Sequence, residues 1–174
     1  MRRIVLSLLT VLISFSFLTF ANSQDEKQNQ DLNETEVNFF AGMFDFSDTN
    51  AASGLLGLQH QNDELFRNSF LGKLSPITGG FLTEKNAFYL YTGAQAEYDL
   101  GFLTITPSFA PGYYQSGDGK DLGSVLEFKS EVQMSLNLSD STEFGMSYNH
   151  ISNASLGDKN PGANSYMINF LKQF

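Results

Sequence analysis

An all-β fold is predicted for this chain, an eight-stranded antiparallel transmembrane β-barrel, and three observations carry the prediction. One long stretch alternates apolar and polar residues with period two, connections between such stretches alternate between tight and long, and the chain ends on an aromatic stripe. At 174 residues there is room for one domain with its own core.

Met1-Arg2-Arg3 precedes an uncharged, mostly apolar run from Ile4 to Phe20 and the small-residue segment Ala21-Asn22-Ser23. A basic start, an apolar middle and small residues make a secretory signal over 1–23, cleaved after Ser23; an uncleaved anchor is the alternative, because the run is long for a signal. Gln24 to Glu36 is polar and acidic, a solvated periplasmic arm over 24–36. A single barrel domain is expected over 37–174, beginning at Val37.

The clearest strand is Leu126 to Leu138. Leu126, Phe128, Ser130, Val132, Met134, Leu136 and Leu138 share one face, and Glu127, Lys129, Glu131, Gln133, Ser135 and Asn137 share the other. A soluble antiparallel sheet also alternates. Length favours the membrane, since about nine to eleven tilted residues cross a bilayer whereas globular strands average about five or six. The other expected strands are Glu36 to Phe44, Gly54 to His60, Leu65 to Lys73, Phe88 to Tyr98, Phe102 to Tyr113, Thr142 to Ser152 and Ser165 to Phe174. Gly54 and Gly57 weaken the second of these. Tight connections at His60–Glu64, Asp99–Gly101 and Ser139–Ser141 alternate with long ones at Asp45–Ser53, Leu74–Ala87, Tyr114–Asp121 and Asn153–Asn164. Short periplasmic turns and longer extracellular loops are the pattern of outer-membrane barrels. Tyr166, Ile168, Phe170 and Phe174 form the closing stripe, interrupted by Lys172.

Charge and composition narrow the function classes. The formal net charge of -9 becomes -11 once Arg2 and Arg3 leave with the signal, which argues against a nucleic-acid partner. Without cysteine there is no disulfide, thiol nucleophile, thiolate metal site or lipidated N-terminal Cys. Gly117 to Asp121 lacks the ligand spacing of a calcium loop and reads as a tight turn, and His60 stands alone, so no metal site is expected. Asn153-Ala154-Ser155 matches a glycosylation sequon, which has no role in a bacterial barrel.

The strand ending "MSYNHISNAS" puts polar residues where its own lipid-facing stripe asks for apolar ones. Phe144, Met146 and Tyr148 face outward, and the same parity carries to His150 and Ser152; in the last strand it carries from Tyr166 back to Asn164. The final loop joins these two strand ends, so three polar residues gather outside the barrel. A hydroxyl beside an imidazole, with a third polar group to orient the ring, is the minimum for nucleophilic acyl transfer. Such a site faces lipid, so its substrate is expected to be lipid. A strand fraying into its loop at the barrel rim explains the same residues without chemistry.

Tyr148 to Phe174 resembles the C-terminal end of the PagL-type lipid A 3-O-deacylases, in His150-x-Ser152-Asn153 and in Asn160-Pro161-Gly162, with softer similarity in "LSPITGGFLT" and "LEFKSEVQ". The resemblance implies an eight-stranded barrel of the bacterial outer membrane that hydrolyses the acyl ester at the 3-position of lipid A, with the active site facing the outer leaflet. It places the serine nucleophile on Ser152, the histidine base on His150 and an oxyanion-hole amide on Asn153. The triad glutamate falls on Asn164, which is not an acid; Asp158 in the same loop is the fallback carboxylate. The chemistry needs no cofactor. Lipid A or lipopolysaccharide is the implied substrate, outer-membrane lipid the surroundings and the barrel-assembly machinery the partner in biogenesis, while monomer or homodimer stays open. The rival expectation is a non-catalytic small barrel with a structural or lipid-binding role.

Overall fold

The computed structural model describes residues 35–62, 67–69 and 71–174. The expected signal over 1–23 and the arm as far as residue 34 lie outside the described residues, and Thr35 and Glu36, assigned to the arm from sequence, begin the first strand.

The strands are β1 Thr35–Phe44, β2 Ser53–Asn62, a short β3 Arg67–Ser69, β4 Gly72–Thr83, β5 Phe88–Ala96, a short β6 Tyr98–Asp99, β7 Leu103–Gln115, β8 Leu126–Ser139, β9 Thr142–Ser152 and β10 Ala163–Gln173. The long strands follow the order β2-β1-β10-β9-β8-β7-β5-β4, all pairs antiparallel, and β4 pairs back onto β2. The sheet is therefore a closed eight-stranded barrel. Closure leaves none of the long strands with an unpaired edge, which a strand surrounded by hydrocarbon requires.

The two faces differ as alternation demands. Outside, Leu56 and Met146 are 69% and 60% exposed, alongside exposed Phe39, Leu82, Leu90, Phe109, Val132, Ile168 and Phe170. A soluble protein rarely exposes so continuous an apolar belt, whereas a transmembrane barrel turns one toward the bilayer. Inside, the odd residues of β8 from Glu127 to Ser135 are all buried. Asn38 donates to Gln133 at 3.0 Å and Asn169 at 3.1 Å, Gln95 bridges Gln59 and Gln61, and Lys129 pairs with Glu131 at 3.3 Å over the Tyr91 ring. Toward the rim that bears loop 45–52, Phe44, Phe81, Tyr89 and Tyr114 stack into an aromatic layer, with ring centroids 5.7 to 6.1 Å apart.

One expected strand is misplaced. The third long strand is Gly72–Thr83, not Leu65 to Lys73, and the long loop expected over Leu74–Ala87 shrinks to a turn over residues 84–87. Pro76, Gly79 and Gly80 hide the strand, because proline and glycine ordinarily mark its end. Here Gly79 is required by packing: a Cβ there would lie 2.7 Å from the Leu58 carbonyl oxygen and 2.7 Å from the Tyr91 hydroxyl. On the opposite rim β2 ends at Asn62 and β4 begins at Gly72, so these two strands are further apart in sequence than the expected turn His60–Glu64 allows. The short-and-long rhythm thus holds for 140–141 against 45–52, 116–125 and 153–162, and fails around β4.

Candidate active site

β9 and β10 pair in a register that sets His150 opposite Asn164, while β8 places Ser130 on the other flank of His150 and Phe128 beside Ser152. His150 is exposed on the outer wall, and Ser152 and Asn164 are half-buried. Parity along two strands is sufficient to bring the three together.

The imidazole is oriented by hydrogen bonds. His150 Nδ1 lies 2.8 Å from Asn164 Oδ1, and the Tyr148 hydroxyl donates to the same oxygen at 2.8 Å. An amide oxygen only accepts, so Nδ1 carries the proton and Nε2 keeps its lone pair. Ser152 follows two positions along the same face, about 6 to 7 Å along the strand. Its hydroxyl makes no hydrogen bond among the described residues. Gly162, at φ +61°, lays bare backbone against the ring: a Cβ there would sit 2.8 Å from His150 Cε1 and 3.2 Å from Nε2. The glycine keeps the Nε2 edge open.

Loop 153–162 starts with Ala154 and Ser155 both in the left-handed region, φ +52° and +62°. Asn153 fastens it. The side chain is fully buried, and its Nδ2 donates to the carbonyls of Leu122 and Lys159, each at 2.8 Å. The backbone amide of Asn153, expected from the resemblance to serve an oxyanion, donates at 3.1 Å to Asn160 Oδ1. Lys159 reaches across to Asp121 at 2.8 Å, and this hydrogen bond holds the Asp121 carboxyl below its usual range. Asp158, the fallback acid, is exposed, and no hydrogen bond or ion pair joins it to His150.

Loop 45–52, which strand parity does not reach, also borders these residues. Phe46 donates its amide to the Asn164 carbonyl at 3.0 Å and packs its ring on Tyr148 and Tyr166. Asp45 Oδ1 lies 3.4 Å from the Asn164 amide nitrogen, and Ser47 Oγ lies 3.4 Å from Asn164 Nδ2. Nothing in the local sequence announces these contacts between residues 117 and 119 apart. Among the described residues no group of three or more His, Cys, Asp or Glu side chains could hold a metal.

The family profile described as Lipid A 3-O-deacylase (PagL) matches residues 51–172. The chain belongs to this lipid A 3-O-deacylase family. Among solved structures it is similar to the outer membrane enzyme PagL, at 20% identity and TM-score 0.60, covering 79% of this chain and 98% of that one. A de novo designed transmembrane β-barrel follows at 11% identity and TM-score 0.53, covering 84% of this chain and 100% of the other. Neisserial surface protein A matches at 10% identity and TM-score 0.52, covering 80% and 97%. No curated protein matches by sequence. Such low identities establish the barrel alone, while the profile establishes the family; together they place this deacylase-family chain in the bacterial outer membrane.

Proposed function

We propose that the protein is an active lipid A 3-O-deacylase working by a Ser/His mechanism at the level of the outer leaflet. The observation that carries this reading is the His150–Asn164 hydrogen bond at 2.8 Å, which fixes the ring tautomer with Nε2 free on the face that Ser152 shares. A strand merely fraying at the rim would not hold its histidine in this way.

Ser152 Oγ attacks the ester carbonyl at the 3-position while His150 Nε2 takes the hydroxyl proton. The tetrahedral oxyanion takes the Asn153 amide N–H in place of the Asn160 side-chain carbonyl. Collapse expels the sugar hydroxyl, which receives the proton from His150. Water, deprotonated by the same nitrogen, then releases the acyl chain as a carboxylate and restores Ser152. No step calls for a cofactor. The apolar wall around the site leaves the acyl chains in lipid, so only the ester need approach the polar trio.

A structural barrel is the second reading, favoured by the neutral Asn164 and the unbonded Ser152 hydroxyl. The two readings separate on Ser152→Ala. Purified parent should release the 3-linked acyl chain from lipid A in detergent, read by mass spectrometry, and the folded variant should lose that release by at least about a thousandfold. Equal release by the two proteins, or none by the folded parent, rejects the deacylase reading.

A further inference from the structure

A neutral amide beside an imidazole stabilises the imidazolium less than a carboxylate does. A buried carboxylate lies behind that amide on a different loop. Asp45, fully buried and held at φ +48°, directs Oδ1 toward Ser47 Oγ at 3.5 Å and toward the Asn164 backbone nitrogen at 3.4 Å. Ser47 Oγ in turn accepts from Asn164 Nδ2 at 3.4 Å. The donors all run one way: His150 Nδ1–H to Asn164 Oδ1, Asn164 Nδ2–H to Ser47, and the Ser47 hydroxyl to Asp45. We propose that Asp45 stands in for the missing triad acid at second remove, its charge relayed to His150 through Ser47 and the Asn164 amide. Asp45 and Ser47 are then positioning residues, and the inference rests on His150 being the base. Both precede residue 51 and so fall outside the span that the family profile matches.

The charge balance permits this. Lys120 Nζ holds Asp45 Oδ2 at 2.7 Å and lies 3.8 Å from Asp48 Oδ2, so the cation sits on the Oδ2 side, keeps the buried carboxylate ionised, and leaves Oδ1 facing Ser47. From the other elements around the imidazole, β9 brings Tyr148, β10 brings Tyr166, and β8 brings Ser130 while its Glu127, Lys129 and Glu131 point into the lumen. Loop 153–162 adds exposed Asp158 and Lys159, the latter paired with Asp121. Two of the links are longer than an ordinary hydrogen bond. They act through dipole alignment: no proton passes along the chain, every donor keeps its hydrogen, and the Ser152 proton still goes to Nε2. Ser47 also settles which way the Asn164 amide faces, because a hydroxyl engaged with Asp45 is an acceptor for Nδ2–H.

The test uses Ser47→Ala, Ser47→Thr and Asp45→Asn, each in the parent and in an Asn164→Glu background. Two readouts are taken on full-length protein in detergent: deacylation kinetics on lipid A, and the tautomer of the neutral His150 ring by NMR of ¹⁵N-histidine-labelled protein. His60 is the only other histidine and serves as the internal reference. Ser47→Ala and Asp45→Asn should lower kcat about 5- to 30-fold with KM unchanged, as expected for a charge acting over several ångströms at an intermediate dielectric. Both should raise the Nε2–H tautomer of His150, and Ser47→Thr should restore rate and tautomer. With Glu at position 164 the charge is local, and Ser47→Ala should then change kcat less than about twofold. An unchanged His150 tautomer in folded Ser47→Ala overturns the relay, and so does an equal loss of rate in both backgrounds, which would mark a purely structural loop. If the tautomer shifts while the parent leaves lipid A intact, the deacylase reading fails and the relay stands.

Discussion

On the proposed mechanism, Asn164 is the position where the reaction can be tuned in both directions. Replacing it with Ala removes the oxygen that accepts from His150 Nδ1 and from the Tyr148 hydroxyl, each at 2.8 Å. A hydrogen bond to a group that becomes charged is worth about 1.5–3 kcal/mol. At about 1.4 kcal/mol per decade, the rate should fall roughly 10- to 150-fold. Replacing it with Glu sets a full charge about 4 Å from the imidazolium, a Coulomb gain of about 4 kcal/mol at an effective dielectric of 20. Repulsion works against that gain, since Asp45 Oδ1 already lies 3.4 Å from the backbone nitrogen of residue 164. The expected order is Glu at least equal to Asn, up to about tenfold faster, with Ala slowest. Folding should hardly change, because a half-buried rim position tolerates an acid far better than the bilayer midplane does. The assay is deacylation of purified lipid A in detergent, with heat-modifiable gel migration as the folding control. If Ala matches the parent and Glu changes nothing, Asn164 does not orient His150, and a two-residue mechanism is the better account.

Gly162→Ala places a methyl 2.8 Å from His150 Cε1 and asks alanine to hold φ +61°, a strain of about 1–2 kcal/mol. Deacylation should fall at least about tenfold while heat-modifiability persists, since a loop position takes the strain without opening the barrel; parental kcat/KM would show that the ring edge is not confined there. The Asp121–Lys159 tie predicts a pH dependence. A carboxyl whose folded pKa is depressed adds stability above its unfolded value of about 3.9 and loses it as pH falls through the lower folded value. Hydrogen exchange across 116–125 and 153–162, corrected for the intrinsic rate, should therefore be flat from about pH 5 to 8 and rise only below about pH 4; a rise centred near neutrality would assign the tie to another group.

That His150, Ser152 and Asn164 share one outer face was legible because parity travels along a strand whatever the tertiary context. Once Met146 and Tyr148 face lipid, His150 and Ser152 must follow, and the next strand carries Asn164 to meet them. The same rule correctly sent Glu127, Lys129 and Glu131 inward. It failed at β4, where Pro76, Gly79 and Gly80 erase the pattern that the rule reads, although the space left by Tyr91 and the Leu58 carbonyl is what demands Gly79. Parity also has nothing to say about loops. That Asn153 would spend its amide on Asn160 depends on two left-handed residues, Ala154 and Ser155, whose side chains do not advertise that conformation.

Loop 45–52 extends this point to the chemistry. A triad acid on β10 is readable because strand pairing fixes its distance to His150, whereas an acid on a loop is readable only after the loop has folded. Asp45 reaches the site because β1 pairs with β10 on the flank opposite β9, so the loop leaving β1 emerges beside Asn164 and is tied there by the Phe46 amide. Barrel closure, not local sequence, makes the first and last strands neighbours. Substituting an amide for a carboxylate at position 164 therefore leaves a carboxylate in reach, at the cost of routing its influence through a hydroxyl and an amide dipole. Charge at the base and orientation of the base are separable on this account: Asn164 holds the ring, and Asp45 sets how much the ring gains on becoming an imidazolium.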